Sequence, residues 1–317
     1  MSDLPTAVLG RTGETVTKLA YGAMELRGRV PGRGGRDVTP EAASAILNAV
    51  LDAGINMIDT SPDYGPSEEL IGASIAHRRS EYFLASKCGC PINPPAGERP
   101  PHVFTRQNVR AGVEQSLRRL QTDHLDLVQF HISPSRAELE KNDSVAELVE
   151  LQREGKIRFI GMSGVLPNLT DHIAMGVFDA FQIPYSALER DHEGAIHDAV
   201  AAGAGAIIRG GVARGLPVAP TEVIERLPEQ FRATYVRRRD LWDEAGLDEV
   251  LDGLTRMQFM LRFTLSHPDM TTTIVGTANP AHLADNVAAA KQGPLPADQL
   301  SEAKRRLSAV AEAQAAA

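Results

Sequence analysis

The feature that most constrains this chain is a rhythm. Short apolar, β-rich runs alternate with amphipathic stretches of helical spacing along most of its 317 residues. Eight runs read as strands: KLAYGA (18–23), INMIDTS (55–61), YFLASK (82–87), LDLVQFH (125–131), IRFIGMS (157–163), AFQIPYS (180–186), GAIIRG (205–210) and TTIVGT (272–277). Between them, TPEAASAILNAVLDAG (39–54) places Thr39 and Pro40 where a helix takes its N-cap and first residue, and Gly54 where it ends. TRQNVRAGVEQSLRRLQ (105–121) and NDSVAELVELQREGK (142–156) carry apolar residues at the same helical period. Units of this kind build parallel βαβ structure, and nearly continuous apolar strands imply a sheet covered on both faces. A doubly wound sheet is the competing arrangement. It announces itself by a Gly-rich phosphate loop, and neither G-x-G-x-x-G nor G-x-x-x-x-G-K-[ST] occurs. The expected fold is therefore α/β: a (β/α)8 TIM barrel, one domain over 1–317, with a long insert between strands seven and eight and a C-terminal helix.

Composition narrows the partners. A hydrophobic content of 43% with 23% charged residues is that of an ordinary globular protein. A net charge of −8 argues against nucleic acid or an anionic membrane as the main partner. No apolar run approaches the length of a membrane span, and the N-terminal MSDLPTAVLGRTG lacks the features of a signal peptide. Cys88 and Cys90 stand too close together to be a disulfide framework. A cytoplasmic protein is expected.

In a barrel, chemistry belongs at the C-terminal ends of the strands. Asp59 ends the second strand, Tyr64 lies on the loop after it, Lys87 ends the third and His131 the fourth. Singly, each has an ordinary explanation as a turn former or a solvated group. Together they terminate three neighbouring strands on one face. Such a set suits proton transfer by a phenol. Tyrosine ordinarily titrates near 10, too high for easy donation at neutral pH, and a lysine ammonium beside it favours the phenolate. Asp59 would hold that lysine charged and in place, and His131 would orient the substrate oxygen. The set holds no strong nucleophile, so something else must attack a carbonyl carbon, and hydride from a reduced nicotinamide is the natural candidate. Cys88-Gly-Cys90 has the wrong spacing for common zinc motifs, and no other ligand cluster stands out in the sequence, so no metal is expected.

The motifs G-I-N-x-I-D-T-(x)-x-x-Y-G (54–65), A-S-K (85–87), L-D-L-x-Q-x-H (125–131), G-K-I-R-x-I-G-x-S (155–163) and QIPYS (182–186) resemble the aldo-keto reductases. The likeness runs from LGRTGETVTKLAYGAM to VGTANPAHLADN. It implies that Asp59, Tyr64, Lys87 and His131 are the catalytic tetrad, with Tyr64 the general acid. It further implies an extended nicotinamide dinucleotide, NADP with NAD as the alternative, bound without a Rossmann domain. By this resemblance Ser163 and Gln182 hydrogen-bond the carboxamide and Tyr185 stacks on the nicotinamide ring. Arg209 and Gly210 belong to the pyrophosphate loop (207–215). Gly276, Thr277 and Asn286 belong to the adenosine end, where a helix entered through Asn279 and Pro280 would present its N-terminus to phosphate, and His282 offers a further donor.

The sequence departs from the family in three places. Gly164 stands where most relatives have Asn, Arg209-Gly210-Gly211 replaces Tyr-Ser-Pro, and 277–286 contains no Lys or Arg, the residues that favour NADP. The expected activity is reversible reduction of a small aldehyde or ketone. The rival is a nicotinamide-binding regulatory subunit on the same fold.

Overall fold

Eight parallel strands pair in a closed ring, each to its sequence neighbour, with the last returning to the first. The computed structural model describes residues 3–29, 37–92, 100–218, 221–225 and 229–316. Parts of the segments 24–37, 90–104 and 216–260, from which a substrate pocket is expected to be built, therefore lie outside the described residues.

An antiparallel hairpin comes first, β1 (Thr6–Val8) with β2 (Thr15–Thr17). The barrel follows: β3 (Leu19–Gly22), β4 (Met57–Asp59), β5 (Phe83–Cys88), β6 (Leu125–Phe130), β7 (Ile157–Ser163), β8 (Ala180–Pro184), β9 (Gly205–Arg209) and β10 (Thr272–Val275). Their order in space is β10-β3-β4-β5-β6-β7-β8-β9, closed by the β10–β9 pairing. All eight strands expected from sequence are present, most of them trimmed at one or both ends.

Successive side chains point to opposite faces of a strand. Met57, Phe83, Ala85, Leu127, Ala180 and Ile207 pack inside the barrel, while Ile58, Leu84, Val128, Phe181 and Ile208 belong to the outer core under the helices. Two residues beyond the inner layer, the same faces carry Asp59, Lys87, Gln129 and Gln182. The pleat alone turns these polar groups inward at the C-terminal end.

The hairpin was not expected from sequence, because strands of three residues are too short to show alternation. It plugs the opposite end. Leu9, in its turn, is fully buried against the inner layer. Gly10 has φ +51°, and a Cβ there would lie 2.2 Å from the Gly205 amide nitrogen, so only glycine permits this approach. Asn56 latches the plug, accepting from the Thr17 amide at 2.7 Å and donating to the Thr15 carbonyl at 2.9 Å.

The outer layer comprises α1 (Pro40–Asp52), α2 (Ser67–Ile75), α3 (Arg106–Leu120), α4 (Arg136–Lys141), α5 (Ser144–Arg153), α6 (Asn168–Met175) and α7 (Glu193–Ala201). The insert adds α8 (Thr221–Glu225) and α9 (Glu229–Glu244) before α10 (Arg256–Leu265), α11 (Pro280–Gln292) and α12 (Ala297–Ala316). Side-chain caps start several of them. Thr39 accepts from the Ala42 amide, Thr105 from Asn108, and Thr255 forms a reciprocal box with Gln258. Among the described residues, no helix is long and apolar enough to cross a membrane.

Candidate active site

Asp59 organises the mouth. Its Oδ1 accepts from Lys87 Nζ at 2.5 Å, Gln182 Nε2 at 2.9 Å and Gln129 Nε2 at 3.0 Å. Lys87 Nζ also donates to the Thr60 carbonyl at 3.0 Å. Lys87 is 1% exposed and Asp59 3%, so the pair is shielded from bulk water. A buried ammonium needs a carboxylate and further hydrogen bonds to offset the loss of hydration, and both are here.

Tyr64 reaches the pair from the loop between β4 and α2. Its amide donates to Ser61 O at 3.0 Å, and the turn closes at Gly65, where φ is +50° and a Cβ would sit 2.4 Å from the Arg27 carbonyl oxygen. Lys87 Nζ lies 6.0 Å from the Tyr64 ring centroid. The His131 ring stands edge-on to Tyr64, with centroids 6.2 Å apart. Sequence reading proposed these four groups together, and the fold brings them to one place.

His131 faces groups the sequence did not link to it. Its Nδ1 lies 3.3 Å from Cys90 Sγ, 3.3 Å from His102 Nε2 and 3.5 Å from Asp63 Oδ2. Burial holds the His131 imidazole below its ordinary range, outweighing the opposing pull of Asp63. Burial alone would raise the Asp63 carboxyl. Hydrogen bonds from His102 and His131, together with their charge, carry it well below the usual carboxylate range. Burial and the neighbouring Asp63 push the Cys90 thiol well up. The expectation of no metal rested on the spacing of Cys88-Gly-Cys90 and on the lack of any other ligand cluster along the sequence. Cys88 is buried in the outer core, while Asp63, Cys90, His102 and His131 place four ligand atoms within 4.8 Å of one another. The sequence showed no such cluster because its members come from three different loops.

The residues proposed for the dinucleotide divide. Ser163 Oγ donates to Gln182 Oε1 at 3.2 Å, so these two stand together beside Asp59. Gly164 packs tightly: a Cβ would lie 2.9 Å from Leu169 Cδ1 and 3.3 Å from Met162 Cγ. Tyr185 does not join them. Three residues beyond the inward-facing Gln182, it belongs to the opposite face. Its ring is fully buried against Phe263 of α10 and His267 just beyond that helix, and its hydroxyl donates to Glu193 at 3.4 Å. It presents no face to the barrel mouth.

Arg209, at the end of β9, is paired in register with Ile274 of β10, so loop 209–211 and Gly276-Thr277 leave adjacent strands. Gly211 and Gly276 are required sterically, since a Cβ at either would meet Thr273 Oγ1 or Gly22 O at 2.5 Å. Asn279 caps α11, its side chain accepting from the Ala281 amide, with Pro280 next. His282 is exposed and Asn286 half-buried on that helix. The donor set suits a dinucleotide: amide and hydroxyl groups at the inner end, a guanidinium and a capped helix N-terminus at the outer.

Comparison with known proteins bears on the same residues. Residues 18–306 match the sequence profile described as "Aldo/keto reductase family". The chain is 27% identical over 302 residues to L-galactose dehydrogenase of Arabidopsis thaliana, covering 91% of this chain and 89% of that protein. It is 28% identical over 286 residues to pyridoxine 4-dehydrogenase of Escherichia coli K12, covering 88% and 91%. An aldo-keto reductase from Bacillus halodurans, solved in its holo form, superposes with a TM-score of 0.79 at 26% identity, covering 96% of both chains.

Proposed function

The chain belongs to the aldo/keto reductase family of oxidoreductases, and on that premise we propose that it reduces a small polar aldehyde or ketone reversibly, with Tyr64 as the proton donor. The observation that carries this reading is the buried Lys87–Asp59 pair beside the Tyr64 ring. When bound, the nicotinamide supplies a hydride to the carbonyl carbon. Tyr64 gives its phenolic proton to the carbonyl oxygen, and the Lys87 ammonium favours the phenolate left behind. With Nδ1 turned toward Cys90, His102 and Asp63, His131 keeps Nε2 for the substrate oxygen. Its depressed basicity favours a neutral ring over a cation, with donor and acceptor roles set by the tautomer. The relatives named above are dehydrogenases of L-galactose and of pyridoxine, which supports a polar substrate.

The test is turnover with a panel of aldehydes, keto-sugars and polyols, before and after Tyr64→Phe. Loss of the acid is expected to lower kcat roughly 10²- to 10⁴-fold while cofactor affinity stays the same. A mutant with near-normal kcat would exclude Tyr64 as the acid. Cofactor binding without turnover on any substrate would favour the regulatory reading.

NADPH is proposed as the preferred cofactor, by about tenfold. The outer end offers the α11 N-terminus, Thr277, Asn279 and His282 but no Lys or Arg within 277–286. A helix N-terminus contributes about 0.3–1 kcal/mol when exposed, and tenfold discrimination is about 1.4 kcal/mol. The check is kcat/KM with NADPH and NADH, before and after His282→Ala. A clear NADH preference would reject it.

A further inference from the structure

We propose that Asp63, Cys90, His102 and His131 form a site for one tetrahedral divalent cation of the zinc class, set beside Tyr64 at the mouth of the barrel. His102 Nε2 lies 3.1 Å from Asp63 Oδ2 and 3.3 Å from His131 Nδ1. His131 Nδ1 lies 3.5 Å from the same carboxylate oxygen and 3.3 Å from Cys90 Sγ. Zinc binds nitrogen and oxygen at about 2.0–2.2 Å and sulfur at about 2.3 Å, so a tetrahedron places its ligand atoms roughly 3.3–3.8 Å apart. Four of the six pairs stand at 3.1–3.5 Å, and all four atoms lie within 4.8 Å of one another, so small side-chain adjustments would close the shell. One ligand atom from each of two histidines, a cysteine and an aspartate gathers in one place, a mixed set of the kind zinc takes.

The chemistry of the set selects the ion. One thiolate and one carboxylate cancel the charge of a divalent cation, and two neutral imidazoles complete the shell. Sulfur with nitrogen favours zinc or cobalt over magnesium or calcium, which take oxygen. Binding replaces the Cys90 S–H bond by S–metal and releases that proton to water, with no change of oxidation state.

Backbone contacts place the ligands. The Asp63 amide donates to Ser61 Oγ at 3.2 Å. Gly89, at φ +85°, packs so tightly under Phe104 that a Cβ would lie 2.2 Å from the ring, and its carbonyl accepts from Val103, drawing His102 back over Cys90. The Cys90 carbonyl accepts from Asn108 Nδ2 at 3.1 Å, and the His131 amide donates to Cys88 O at 3.1 Å. Ser61 Oγ, 3.6 Å from Cys90 Sγ, supplies an outer partner. The ion would tie together the loops after β4, β5 and β6. By occupying Nδ1 it would fix the His131 proton on Nε2. The site does not depend on any role of His131 toward a substrate, so metal content and turnover can fail separately.

The experiment uses the full chain freed of any metal-binding tag, stripped with chelator and reloaded with Zn²⁺ or Co²⁺. About one equivalent per chain should survive gel filtration. The Co²⁺ form should show a thiolate-to-metal charge-transfer band and the strong visible bands of tetrahedral coordination. Cys90→Ser should abolish the charge-transfer band, while Cys88→Ser should keep it. His102→Ala should weaken Co²⁺ binding by more than the roughly 10–100-fold that loss of an outer partner causes. Zn²⁺ should raise Tm in the wild type and not in His102→Ala, which serves as the readout if Cys90→Ser does not fold. A folded wild type that retains no metal, or a charge-transfer band that survives Cys90→Ser, would overturn the site.

Discussion

One oxygen of Asp59 accepts from Lys87, Gln129 and Gln182, so this carboxylate is both counter-ion and hub. Asp59→Asn keeps the shape but leaves a buried ammonium without its charge partner. The expected loss is about 3–5 kcal/mol of stability, read from urea denaturation, together with loss of turnover. A change within about 0.5 kcal/mol would mean that Lys87 finds another partner. Gln129→Leu removes one neutral donor and is expected to cost less, about 1–3 kcal/mol. Asp59, Lys87 and His131 could be found in the sequence because ionisable groups at the ends of neighbouring strands stand out against apolar runs. Gln129 could not, since a neutral amide inside a strand looks ordinary. The available signal was its even offset from the inward-facing Leu127. The same parity sets Tyr185, proposed from the family resemblance, on the face opposite Gln182. Asp63 and His102 were missed for another reason: their partners sit on other loops, and loop-to-loop contact leaves no spacing to read.

At the scale of the element, the hairpin plug and α6 each carry a prediction. Leu9 fills the closed end of the barrel, so Leu9→Ala is expected to cost about 2–5 kcal/mol. Because the plug and the candidate site occupy opposite ends, KM for the cofactor should not move. A raised KM would show that the two ends communicate. On α6, His172 is fully buried, with Nε2 donating to the Pro134 carbonyl at 2.7 Å. Burial holds its imidazole below the ordinary value, despite the Pro134 bond and the charge of Asp171. The unfolded chain therefore binds a proton near pH 6.5 that the folded one refuses. That part of the stability is present above this pH and is lost as pH falls through the depressed folded value. The urea midpoint should fall between pH 7.5 and 5, and His172→Gln should flatten the fall. A parallel curve in the variant would assign the effect to another group. The eight strands and many of the helices were legible because each βα unit is written locally, in one period and one cap. The hairpin was not, for its strands are shorter than the pattern that would reveal them.

For the molecule as a whole, α12 packs back against the 3-10 turn at Leu247–Val250 and α9 of the insert. Ala303 and Leu307 are buried, Arg306 donates to the Gly246 carbonyl at 2.9 Å, and Lys304 pairs with Glu193 at 2.5 Å. Deleting 297–317 would uncover these apolar side chains and release Glu193, so Tm is expected to drop; an unchanged Tm would show that α12 only decorates the barrel. The order of strands in space was readable from sequence because parallel neighbours in a barrel are chain neighbours. The one exception is the seam. β10 pairs with both β3 and β9, and Tyr21 donates to the Thr277 carbonyl from 256 residues away. On the ribosome, then, seven strands emerge before the eighth can join them. Until Thr272 is made, the growing chain carries two raw sheet borders, one on β3 and one on β9, each able to recruit a strand from a neighbouring nascent chain. A product stopped at residue 271 should aggregate or be held by chaperones, and the addition of only a few more residues should begin to relieve it.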